Sequence, residues 1–175
     1  MGEQVGLSFR DAMPVGIVVE RRRLNSPWQD EAWLPVSVIA GASTGGWRVL
    51  HEDDERLRAY AGTLPVELFR KETASYKYNL ETGTPKVYVV LRRSDDPTWP
   101  WRPQLATVAP DEAQASLEGG DDIVEGVAMP EAMVEWVAAF IAVHHVDEPT
   151  YKRQRQRHEE KRPTLTLPRR AGSGR

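Results

Sequence analysis

Apolar positions fall in short runs along this chain, and many of them alternate with polar residues. Val15, Ile17, Val18 and Val19 form one run, and Val36, Val38 and Ile39 form the next. Between them lie Arg21, Arg22, Arg23, the turn-forming Asn25-Ser26-Pro27, and the aromatics Trp28 and Trp33. This pattern predicts two antiparallel strands, Val15 to Arg22 and Trp33 to Ala40, joined by a polar, tryptophan-bearing connection. The unbroken apolar centre of the first strand predicts burial on both faces. Pro14 suits a strand start, and Pro35 predicts an edge or a bulge, because proline cannot donate to a ladder. Gly41 to Gly46 reads as a hairpin turn, Trp47 to His51 as a short third strand, and Leu57 to Phe69 as a longer one. In residues 71–82, Tyr76, Tyr78 and Leu80 alternate with Lys77, Asn79 and Glu81, which predicts another strand. With the turn Glu81 to Pro85 and the apolar run Lys86 to Arg93, it reads as a β-hairpin.

Helical signals come late. Pro97, Pro100 and Pro103 force extended backbone around Trp99 and Trp101. Leu105 to Val108 suggests a strand, Pro110 to Leu117 a short helix with acids in its first turn, and Asp121 to Ala128 a loop or short strand. The strongest helix is 130–145. Pro130 opens it, and Met133, Val137, Phe140, Ile141 and His144 share one face. The expected fold is therefore α+β, predominantly β: an antiparallel curved sheet or partly open barrel of about six to seven strands, packed by one long C-terminal helix.

Charge divides the chain. Residues 150–175 hold nine Lys/Arg and two Glu, whereas residues 1–149 hold 14 basic and 24 acidic residues. A single β-rich domain over 1–149 and a basic, disordered tail over 150–175 are the expected units. Lys152, Arg153, Arg155 and Arg157 are the tail residues placed to meet an acidic partner, or the acidic body itself. The body would repel phosphates, which argues against nucleic acid. There is no cysteine, which agrees with a cytoplasmic setting. No basic start followed by an apolar core is seen at the N-terminus, and no apolar run is long enough to span a bilayer, so neither a signal peptide nor a membrane partner is expected.

Candidate chemistry is sparse. Gly41-Ala-Ser-Thr-Gly-Gly46 succeeds an apolar run as a phosphate loop would, but Trp47 to His51 then reads as a strand rather than a helix, and no Gly-Lys-Ser/Thr is present. Arg21, Arg22, Arg23, Arg92 and Arg93 end two strands and are candidates for binding an anion; solvated strand ends neutralising nearby acids are the other reading. Trp28, Trp33, Trp99 and Trp101 sit in proline-containing segments and are candidates for a partner-binding surface. They could equally plug the core. His51 to Glu55 reads as an exposed acidic turn, and His144 as a helix-end residue. No serine elbow, cysteine nucleophile or metal-ligand pattern is found, so neither catalytic residues nor a metal are assigned, and no cofactor is expected.

Several stretches resemble the DUF3305 family of bacterial proteins. They are Pro14 to Arg22, Pro27-Trp28 with Trp33, Glu67 to Glu72, Asn79-Leu80-Glu81 and Val87 to Arg92. Met129-Pro130-Glu131, Trp136 to Phe140, and Tyr151 to Arg155 after His144-His145 complete the set, which covers roughly 14–157. The resemblance implies association with genes for molybdenum-dependent formate dehydrogenases and their accessory factors. Some relatives carry a label for molybdopterin-guanine dinucleotide synthesis, but this chain has no Asp-Lys after its Gly-rich stretch in an α/β pattern. The expectation is a non-catalytic accessory protein in maturation or assembly of such a dehydrogenase, binding one of its subunits or a maturation factor. The alternative is a small-molecule or anion-binding module for a phosphorylated cofactor.

Overall fold

The structure, a computed structural model, describes residues 10–147. The elements run β1 (Arg10–Arg23), β2 (Glu31–Ala40), β3 (Arg48–Glu52), β4 (Arg56–Phe69), α1 (Thr73–Glu81), β5 (Lys86–Arg93), β6 (Trp101–Thr107), α2 (Pro110–Leu117), β7 (Ile123–Ala128) and α3 (Glu131–His144). A 3-10 turn over Arg70–Glu72 precedes α1. The tail, with Lys152, Arg153, Arg155 and Arg157, lies outside the described residues.

The strands form two antiparallel sheets, ordered β2-β1-β4-β3 and β6-β5-β7. This corrects the expectation of one curved sheet or partly open barrel. The sheets touch where β4 meets β6 and β2 meets β7, but no ladder joins them. The predicted pairing of the first two strands stands, with Ile17 opposite Val38 and Arg21 opposite Trp33. The register jumps from Ser37 to Pro35, so Val36 bulges beside the proline on what is an edge strand.

Alternation along β1 sorts its side chains. Val15, Ile17 and Val19 enter the core with Trp33, Val38, Leu57, Val66 and Leu68. Val18 and Glu20 are buried on the opposite face. β5 supplies the same service to the second sheet, with Val87, Val89 and Leu91 inward. Each such side chain contributes roughly 1.5–3 kcal/mol on burial.

Three helices complete the core: the short one expected at Pro110 to Leu117, the long C-terminal one, and α1, which is not among the expected elements. α3 matches its expected span, and Met133, Val137 and Phe140 are buried while Ile141 and His144 flank them. α2 packs against all three strands of the second sheet, and α1 lies between α2 and α3.

The expected strand over 71–82 is a 3-10 turn and a helix instead, so the hairpin with Lys86 to Arg93 does not exist. In the helix, Thr73, Tyr76 and Asn79 are the buried residues, three apart, while Tyr78 is 67% exposed. Tertiary bonds decide the matter. The Tyr76 hydroxyl accepts the Phe69 N–H at 2.9 Å. Asn79 donates to the carbonyls of Lys86 (2.7 Å) and Val108 (2.9 Å) and accepts the Lys86 N–H at 3.0 Å. Its amide thus stands in for a neighbouring strand.

Gly41 to Gly46 is not a hairpin turn either. β2 and β3 lie on opposite edges of their sheet, so this segment crosses over β1 and β4 to join them. Gly16 makes room for it: a Cβ there would lie 2.6 Å from the Tyr60 ring and 2.9 Å from the Ala42 methyl.

Candidate functional site

Four places carry the candidate side chains. The first is aromatic. Trp33, on the inner face of β2, is only 7% exposed, and its ring meets Trp99 edge-on at 6.2 Å. Trp99 stacks in parallel on Trp47 at 4.2 Å. Of the four candidate tryptophans, the fold brings together Trp33 and Trp99, and it adds Trp47. Trp101 lies elsewhere, beneath the Arg93 guanidinium at 4.6 Å. Trp28 stands apart at 93% exposed, on the loop between β1 and β2. That loop is pinned: Leu24 N–H donates to the Asp30 carbonyl at 2.8 Å, and the Gln29 amide donates to the Glu31 carbonyl at 2.7 Å.

The second place is the set of candidate arginines, which do not converge. Arg21 faces Glu31 at 3.8 Å and Glu52 at 3.6 Å. Arg22 bonds Glu20. Arg23 is exposed, and its backbone N–H donates to the Glu55 carbonyl. On the other sheet, Arg92 grips Asp122 with two bonds of 3.2 and 2.9 Å, and Arg93 covers Trp101. An external anion at Arg21, Arg22 or Arg92 would have to displace an internal carboxylate.

Glu20, only 1% exposed, is a buried charged residue on the face of β1 away from the core, and no motif marks it. Arg22 and Arg58 hold it, Arg58 through Nη2 at 2.6 Å and Nε at 3.1 Å. Burial pushes its carboxyl up, but the two guanidinium groups outweigh burial and leave it below the ordinary glutamate range. The one signal for it in the sequence is a lone acid at the end of the apolar β1 run.

The third place is the groove between α1 and the end of α3, about 880 Å³, lined in part by Arg70, Lys71, Thr73 and His145. Thr73 Oγ1 lies 2.9 Å from His145 Nδ1, and His145 Nε2 lies 3.0 Å from Asp147. The order hydroxyl, imidazole, carboxylate invites a catalytic reading. The Thr73 hydroxyl, however, donates its hydrogen to the Arg70 carbonyl at 3.0 Å and is buried. A hydroxyl so engaged is not poised to attack a substrate. The set is a clasp tying α3 to α1, and hydrogen bonding from His145, reinforced by Lys77, holds the Asp147 carboxyl below its usual range.

The fourth place is the Gly-rich crossover. The Ser43 carbonyl accepts from the Thr63 hydroxyl at 2.8 Å and the Tyr60 hydroxyl at 3.1 Å. Arg48 lies over the Tyr60 ring at 5.6 Å. The resulting hollow, about 510 Å³, is walled by Ile39, the crossover, Trp47, Arg48 and Tyr60.

The acidic turn after β3 is structural. Asp53 accepts the N–H groups of Glu55 (2.9 Å) and Arg56 (2.7 Å), which close the turn and lower its carboxyl. Among the described residues no group of three or more His, Cys, Asp or Glu could hold a metal. None of the described helices is long and apolar enough to cross a membrane.

The fold thus defines a mostly β protein of two antiparallel sheets and three helices, with an exposed tryptophan loop and a walled crossover hollow. Across residues 14–155 the chain matches DUF3305, described as a protein of unknown function, and it belongs to that family. No curated protein and no solved structure matches it.

Proposed function

We propose that this protein is a non-catalytic accessory factor that binds a protein partner during maturation or assembly of a molybdenum-dependent formate dehydrogenase. The observation that supports a binding role is Trp28. An indole 93% exposed on a loop held by its own hydrogen bonds contributes nothing to the core. It loses little conformational freedom when a partner covers it. Leu24, partly exposed on the same loop, extends the apolar surface. The basic residues Lys152, Arg153, Arg155 and Arg157 supply a second contact to an acidic partner. The dehydrogenase itself enters from the family resemblance alone.

Copurification tests the proposal. A tagged chain should recover a dehydrogenase subunit or a maturation factor, and Trp28→Ala should reduce that recovery without altering the circular dichroism of the chain. Recovery of neither class of protein, together with normal formate dehydrogenase activity in a strain lacking this protein, would sink the proposal.

A further inference from the structure

The groove between α1 and the end of α3 has an apolar flank that no described residue covers. Val143 and Val146 are 76% and 67% exposed, and Val146 and Phe69 are among the residues that line the groove. Val143 lies seven residues beyond Trp136, two turns along the same side of α3, or about 10 Å. The start of β1 is aimed at this flank. The Trp136 indole N–H donates to Asp11 at 2.9 Å, so β1 meets α3 two turns before Val143. From there the ladder with β4 sets Asp11 opposite Leu68 and Arg10 opposite Phe69, with Arg10 over the Phe69 ring at 6.0 Å. Phe69 and Arg70 line the same groove as His144 and Asp147. At Arg10 the chain is therefore directed along α3, from Trp136 toward its C-terminal end.

The sequence before Arg10 has the pattern that such a flank needs. Val5, Leu7 and Phe9 alternate with Gly6 and Ser8, and they share the parity of Asp11, the side turned to α3. At about 3.3 Å per extended residue, Phe9 and Leu7 reach Val143, and Leu7 and Val5 reach Val146. Charge favours the same occupant: Glu3 is the one charged residue of this stretch, and Arg70 and Lys71 line the groove. The basic segment after Asp147 also begins at the groove, but those two cations repel its nine Lys/Arg. We propose that residues 5–9 dock in the α1–α3 groove, with Leu7 and Phe9 covering Val143 and Val146. A segment tethered at Arg10 meets the groove at roughly millimolar effective concentration, so it holds the site against free peptides. This surface is independent of the Trp28 loop.

The chain has no cysteine, so one introduced thiol reports cover. Val143→Cys in the full chain should react with a maleimide at least about tenfold more slowly than Ala138→Cys, because it reacts only when the segment lifts. Ala138 is exposed and lies about 140° round the helix from Val143. Leu7→Asp together with Phe9→Asp should bring the two rates together and leave that of Ala138→Cys unchanged. In the unsubstituted chain, nuclear Overhauser contacts should join the Leu7 methyls to those of Val143 or Val146, a measurement that needs no variant to fold. Equal labelling of Val143→Cys and Ala138→Cys in the full chain would overturn the proposal, as would absence of those Overhauser contacts. So would slow labelling that survives Leu7→Asp with Phe9→Asp, which puts another segment in the groove, or that depends on protein concentration, which puts a second copy there.

Discussion

Arg58 reaches from β4 to Glu20 on β1 and places Nη2 2.6 Å from Oε2, closing a charge that the central strand of the first sheet has buried. Arg22 takes the other oxygen from the same strand. Two cations on one carboxylate make it costly to protonate. Glu20→Gln leaves two half-exposed guanidinium groups that water can resolvate, and the expected loss is about 1.5–3 kcal/mol of unfolding free energy at neutral pH, read by urea denaturation. A loss below about 1 kcal/mol would show that Glu20 does not anchor this face.

The same pair sets a pH dependence. Because the folded carboxyl lies below its ordinary value, the stability it contributes is complete above about pH 4.5 and falls as pH drops further. Wild-type stability should therefore decline on acidification below that point, and Glu20→Gln should remove part of the decline. An identical acid profile in the variant would contradict the linkage.

Asn79 presents a different dependence on polar pairing. Its amide serves one N–H and two carbonyls at the junction of α1, β5 and β6. Asn79→Ala orphans three backbone groups near the core, so destabilisation of about 2–4 kcal/mol is expected. Chemical denaturation of the two proteins gives the comparison, and a neutral outcome would mean water replaces the amide.

Tyr76 is buried against Phe140, with ring centroids 6.4 Å apart. Burial chiefly raises its phenol, to about 12. The stability linked to this proton is intact below about pH 10 and is lost as pH climbs from there to about 12, an effect of about 2–3 kcal/mol. Alkaline unfolding monitored by circular dichroism should shift to higher pH in Tyr76→Phe. No shift would place the alkaline transition on another group.

Trp28 and Trp33 stand close in sequence but have opposite roles in the structure. Trp33→Ala removes a ring from the core and should cost about 3–5 kcal/mol. Trp28→Ala should change stability by less than about 0.5 kcal/mol. Thermal melts of the two single variants decide this, and comparable losses would mean that Trp28 is covered in the folded protein.

The range of the forces involved separates the legible elements from the rest. The β1–β2 pair and α3 are legible in the chain, because period-2 and period-3.6 burial are written in neighbouring residues. Pro35 announces the bulge at Val36. α1 reads as a strand because Tyr76, Tyr78 and Leu80 alternate, whereas the burial of Tyr76 and Asn79 depends on partners at Phe69, Lys86 and Val108. The tryptophans are legible as a group, but not which of them meet. Trp47 joins the cluster only because its segment crosses the sheet.

Local pattern by itself determined that this is a mostly β protein with a helix at 130–145 and an apolar first strand buried on both faces. Tertiary structure alone decided that the strands divide into two sheets and that Glu20 is clamped by a residue 38 positions away. It also decided that Gly41 to Gly46 spans a sheet instead of turning a hairpin. Strand order depends on which distant edges pair, and nothing in the spacing of apolar residues encodes that choice. The crossover hollow exists only because β2 and β3 ended on opposite edges, which obliged a short glycine-rich segment to pass over Tyr60.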